Sequence, residues 1–180
     1  MRERLEFYLR DARGFAYDVV KAVLAAGSDD IVDAIARAEA VSEVRGSEDF
    51  ASISVAFKRI KNILRQAREA DKAVAAKLDE SALTEDAENR LATEIPVIAA
   101  QVRELREQGN YGRALVQISR LRQPVDAFFD KVMVMVDDER VRANRLALLQ
   151  SLLNEFSTIA DFSEIVTEGT KASPENAERA

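Results

Sequence analysis

The chain has 180 residues, enough for one domain with a single core, and sets 26 Lys and Arg against 32 Asp and Glu for a net charge of -6. It has no cysteine and no histidine, which removes disulfides, thiolate nucleophiles, His bases and Cys/His metal sites, and with them most familiar enzyme classes. Six Gly and three Pro beside 47% hydrophobic and 32% charged residues suit a helical protein with short loops.

Apolar residues recur at helical spacing almost throughout, which predicts an all-α fold, a bundle of about seven or eight helices over residues 1–166. The first helix is expected over 3–12, with Leu5, Tyr8 and Leu9 on its inner face, and Gly14 separates it from a second over 15–26. Gly27 and Ser28 read as a stop followed by an N-cap, and Asp29 and Asp30 also suit capping. A third helix over 30–44 turns Ile31, Ala34, Ile35 and Ala38 inward, and Gly46 with Ser47 repeats the stop and cap. The fourth, 48–67, has the clearest seam, with Phe50, Ile53, Phe57, Ile60 and Leu64 spaced 3, 4, 3 and 4 apart.

Residues 69–81 are polar and Ala-rich, either a short helix or a loose connection. A long helical pattern then runs over 84–108 with Pro96 inside it, which predicts a kink or a break. Asn110 is placed to cap a helix over 111–122, and Pro124 suits the first turn of the next. Met133 and Met135 with Val132, Val134 and Val136 form the most apolar run, expected as a buried spine. Asp137 or Asp138 caps the last helix, 139–160. The tail 167–180 lacks apolar residues and is expected to be disordered. No stretch approaches the roughly 18–20 apolar residues of a membrane span, so no membrane contact and a cytoplasmic location are expected.

The net charge conceals segregation. Residues 28–50 sum to -5, residues 51–68 to +5 with five bases and no acid, and residues 69–95 return to -5. On the fourth helix Lys58, Lys61, Arg65 and Arg68 form one stripe at the rim of the apolar seam. Residues 140–149 are a second acid-free basic segment, with Arg140, Arg142 and Arg145. From pattern alone such stripes read first as solvated helix faces. A solvated face ordinarily mixes signs for i,i+4 support, however, so acid-free stripes in an acidic body also suit an RNA ligand that must be released.

Catalytic motifs are missing. Asp137, Asp138 and Glu139 suit helix capping, Asp126 and Asp130 suit a salt bridge with a nearby Arg, and Phe128 and Phe129 suit core packing. There is no Gly-rich phosphate loop and no G-x-S-x-G elbow.

PVDAFFDKVMVMVDD at 124–138, RVRANRLALL at 140–149 and ADFS at 160–163 together resemble the C-terminal domain of bacterial glycyl-tRNA synthetase beta subunits. FKRIKNIL at 57–64 and GNYGRAL at 109–115 resemble helices of the same family. The resemblance implies an all-helical anticodon-binding bundle of the DALR type. The implied partners are glycine tRNA, the synthetase alpha subunit and the rest of a longer beta chain. ATP and magnesium would belong to the alpha subunit, leaving no cofactor, metal or catalytic residue here. Positions matching the family's motif helices are Lys58, Arg59 and Asn62, and Arg142, Asn144 and Arg145. With Lys61 and Arg65 of the stripe these are the candidate tRNA contacts. Lys58, Lys61 and Arg65 suit phosphates, and Asn62 and Asn144 suit base edges. Arg145 lies in line with the seam Leu149, Leu152, Phe156 and Ile159, so its alternative role is a partly buried partner of Asp126 or Asp130. The alternative to tRNA binding is a helical protein–protein interaction domain that holds the synthetase together.

Overall fold

The helix-period pattern becomes eight α-helices in the computed structural model, which describes residues 2–167 and contains no strand among them. They are α1 (Arg2–Phe7), α2 (Tyr17–Ala26), α3 (Ile31–Val44), α4 (Glu48–Glu69), α5 (Asp86–Glu107), α6 (Tyr111–Ser119), α7 (Arg122–Lys131) and α8 (Glu139–Phe156). A π-helical turn, Tyr8–Ala12, extends α1, and 3-10 turns occur at Glu80–Ala82 and Phe162–Glu164. The tail expected to be disordered, apart from Thr167, lies outside the described residues.

Helix starts are set by side-chain acceptors for otherwise orphaned backbone N–H groups. Ser47 Oγ accepts from Phe50 N, Asn110 Oδ1 from Arg113 N and Asp138 Oδ1 from Val141 N, as the sequence predicts. The cap of α3 is Asp30, which accepts from Val32 N and Asp33 N, and not Ser28. α5 starts with a capping box in which Glu85 and Glu88 satisfy each other's backbone.

Packing centres on α4. Its seam residues Phe50, Ile53, Phe57, Ile60 and Leu64 are fully buried, and the helix contacts α6, α7, α8 and the Phe162–Glu164 turn. Phe162 lies edge-to-face with both Phe50 and Phe57, each at 5.3 Å between ring centroids. α5 packs on α6, α7 and α8, while α3 joins α2 to α6. One continuous core results, running from Leu5 to Ile165.

The structure departs from the sequence pattern in four places. α5 continues through Pro96, which is exposed, so of the kink or break expected there the break does not form. The run 132–136 is irregular chain outside any helix, with bends at Val134 and Met135. Val132 and Val134 are buried there while Met133 and Met135 are exposed, so only half of the expected spine is core. The last helix stops at Phe156, short of 160, and residues 157–165 instead fold back against α2 and α4. Tyr8 and Ile31, both expected inward, are 41% and 48% exposed: the π turn shifts the inner face at Tyr8, and Ile31 is the first residue of α3.

Buried cations tie these elements together. Arg37 donates to the carbonyls of Val23, Gly27 and Ile159 and pairs with Asp33 at 2.7 Å, joining the end of α2, α3 and the 157–161 segment. It satisfies carbonyls at the C-terminal end of α2 with a charge of the favourable sign. Asp33 also accepts from the Tyr111 hydroxyl, which joins α3 to α6.

Candidate nucleic-acid interface

The stripe on α4 forms as its spacing requires. Lys58, Lys61, Arg65 and Arg68 are all exposed, with Asn62 beside them. Their surroundings differ. Lys61 Nζ lies 2.6 Å from Asp161 and 3.8 Å from Glu164, and it donates to Ser163 Oγ at 3.1 Å. Arg65 pairs with Glu69 at 2.7 Å, one turn along the same helix. Lys58 and Arg68 make no ion pair among the described residues.

Folding adds a cation that the sequence pattern does not single out. Lys21 of α2 projects to the same place and pairs with Glu164 at 2.8 Å. Lys21, Lys58, Lys61, Asn62, Tyr17 and Glu164 line an open cleft of about 390 Å³. Lys21 stands alone among apolar neighbours in VVKAV, so nothing local marks it as functional. Its adjacency to Lys58 follows only from the packing of α2 and α4 around Phe162.

The segment 161–166 forms the acidic side of this cleft. Burial favours the neutral form of Asp161, but hydrogen bonds from Lys61 and Ser163 outweigh it and hold the carboxyl below its ordinary value. The hydrogen bond and charge of Glu164 push the Lys21 ammonium above its ordinary value. The segment is anchored from below by Asp18, which is buried, pairs with Arg45 at 2.8 Å and accepts from Val166 N. Asp161 and Glu164 thus present carboxylates to both Lys61 and Lys21 in charge-assisted hydrogen bonds and ion pairs.

Arg59, also a motif position, faces away from the cleft. Its guanidinium stacks over the Phe129 ring at 4.0 Å from the centroid, joining α4 to α7. Phe128 is core, as expected, while Phe129 is only half-buried beneath this cation. Asp126 lies 3.8 Å from Arg122, the neighbouring-Arg pairing that the sequence suggests.

The candidates on α8 lie elsewhere and point inward. Arg142 donates to the carbonyls of Val136 and Asp137, fixing the joint before the helix. Asn144 uses both ends of its amide on one residue, accepting from Asp79 N at 2.8 Å and donating to Asp79 O at 2.9 Å. Arg145 is 7% exposed, and its partner is Glu88 at 2.5 Å, not Asp126 or Asp130. Glu88 is buried, and Thr84 N and Glu85 N also donate to it. Burial raises its pKa, yet the hydrogen bonds from Arg145 and the two backbone N–H groups bring it below the ordinary glutamate value. The two basic segments therefore do not merge: α4 faces the cleft, and α8 turns its cations toward 79–88 and 133–137. Among the described residues no three acidic side chains gather as a metal site, and no helix is long and apolar enough to cross a membrane.

The sequence matches the model of the DALR anticodon binding domain over residues 53–167, from within α4 through α8 and the Phe162–Glu164 turn. It is 58% identical over 170 residues to the glycine–tRNA ligase beta subunit of Acidobacterium capsulatum, a match covering 92% of this chain and 24% of that protein. The beta subunit of Geobacter metallireducens is 47% identical over 150 residues, covering 83% and 21%, and that of Syntrophus aciditrophicus 41% over 167 residues, covering 93% and 23%. The chain spans about a quarter of the length of these relatives. By the match over most of its length, and by the all-helical bundle that carries it, the chain belongs to the DALR anticodon binding domain family.

Proposed function

We propose that this chain is the tRNA-binding module of a bacterial glycine–tRNA ligase beta subunit, gripping the anticodon region of glycine tRNA while glycylation proceeds on a separate alpha subunit. The observation that carries this reading is the match to an anticodon-binding family in the same chain that is 58% identical to such a beta subunit. ATP and magnesium are then handled by the alpha subunit in the cytoplasm, and this module contributes position and specificity without a cofactor. The remaining partners are the alpha subunit and the rest of the beta chain.

The cleft between α2 and α4 supplies the contact. Lys58, Lys61 and Lys21 face phosphates there, Asn62 offers an amide to a base edge, and Arg65 extends the positive track along α4. The inward placement of Arg142, Asn144 and Arg145 gives them a supporting part away from the site, as they tie α8, which packs on α4, to residues 79, 88, 133 and 136–137.

Titration of the chain with glycine tRNA at several salt concentrations tests this. The Lys21→Glu and Lys58→Glu double variant is expected to bind at least about tenfold more weakly, with a salt slope about two smaller, one per lost phosphate contact. Unchanged affinity in that variant overturns the site. Failure of the unmodified chain to bind at low salt overturns the module's function.

A further inference from the structure

The lysine cleft also has apolar walls. Tyr17 lines it and is 59% exposed, and Val166 lines it from the 161–166 segment at 67%. Tyr17 is the first residue of α2, one turn before Lys21, so the two side chains share a face of that helix. The hydrogen bond from Val166 N to Asp18 fixes the second wall beside the start of α2. Tyr17 lacks the usual roles of an aromatic residue. It takes no part in the core, and among the described residues it packs on no other ring and its hydroxyl makes no hydrogen bond. Val166 is likewise outside the core.

An exposed ring and an exposed valine beside Lys21, Lys58, Lys61 and the Asn62 amide correspond to the parts of an unpaired nucleotide. Bases inside a duplex cover one another's faces and leave their edges and phosphates accessible. An unpaired base has free π faces, which aromatic side chains cover while cations hold the flanking phosphates. We infer that Tyr17 is the stacking residue of this cleft: an unpaired nucleobase lies on its ring, Val166 is the second apolar contact, and the lysines take the phosphates on either side. The inference rests on the functional reading above in taking RNA as the ligand. It goes beyond that reading in requiring an unpaired base, and in assigning a contact to a residue ahead of the family pattern, which begins at residue 53. Stacking accepts every base, so Tyr17 contributes affinity, and discrimination falls to edge contacts such as that of Asn62.

The test titrates the 180-residue chain at several salt concentrations with glycine tRNA and with a blunt RNA duplex. Tyr17→Ala is expected to weaken tRNA binding at least about fivefold at every salt concentration, with the salt slope unchanged because stacking releases no counterions. Its binding to the duplex is expected to equal that of the unmodified chain. Tyr17→Phe, which keeps the ring and drops the hydroxyl, is expected to bind tRNA within about twofold of the unmodified chain. Unchanged tRNA affinity in Tyr17→Ala overturns the stacking role and leaves the module's function standing. A loss shared by Tyr17→Phe, an equal loss on the duplex, or a smaller salt slope also overturns it, since each assigns the effect to something other than the ring face. Failure of the unmodified chain to bind tRNA at low salt overturns the functional reading and this inference together.

Discussion

A carboxylate that is 1% exposed persists at position 88 because Arg145 and the backbone N–H groups of Thr84 and Glu85 all donate to it. Replacing it by Gln leaves the Arg145 cation buried without its counter-charge. The Glu88→Gln variant is expected to lose about 3–5 kcal/mol, a Tm drop of roughly 6–20 °C in calorimetry. The pH dependence has a definite sign. The folded protein holds the Glu88 carboxyl below its ordinary value of 4.5, so the unfolded chain binds that proton more readily and stability falls as the pH drops below about 4.5. In Glu88→Gln this part of the acid limb flattens, and an acid titration as steep as that of the unmodified chain refutes the assignment. At this scale the sequence is legible for burial and silent on partners. Alignment with the seam Leu149, Leu152, Phe156 and Ile159 marks Arg145 as inward, whereas its partner is 57 positions away and no helical periodicity spans that interval. Asn144 illustrates the same limit: an amide on a motif helix suits a base edge, yet it closes on the backbone of Asp79.

That closure acts on a whole segment. Residues 70–79 have no regular structure and are held to α8 by the Asn144–Asp79 pair, the Ala75 N to Ala143 O bond and the Arg140–Asp79 ion pair. Asn144→Ala is expected to cost about 1–3 kcal/mol, since it orphans two backbone groups. It should also accelerate trypsin cleavage after Lys72 and Lys77 relative to sites in α4; equal protection at those lysines refutes the role. A second segment, 161–166, lays Asp161 and Glu164 against the lysines of the cleft. Glu164→Gln releases Lys21 and weakens one of the two ion pairs of Lys61. For such an exposed pair, RNA affinity is expected to rise by no more than about fivefold. A titration showing equal or weaker binding opposes this competition. Elements with a strict 3, 4 repeat, α4 above all, are readable because periodicity alone places them. Residues 132–136 misled because an apolar run carries no period to say which of its members turn inward, and Met133 and Met135 turn out.

Across the whole molecule, the fold class and the basic face of α4 follow from the sequence, but the cleft does not. A site built from α2, α4 and 161–166 depends on contacts over a hundred positions or more, such as Lys61 to Asp161. Those contacts also set the order in which the molecule can be completed. Phe162 fills the space between Phe50 and Phe57, Asp161 N bonds to the Ala22 carbonyl, and Arg37 takes the carbonyl of Ile159. A ribosome delivers α2, α3 and α4 long before it delivers the residues that seal them. That late segment therefore both seals the aromatic face of α4 and completes the lysine cleft, so that cleft and closed core come into being in one event.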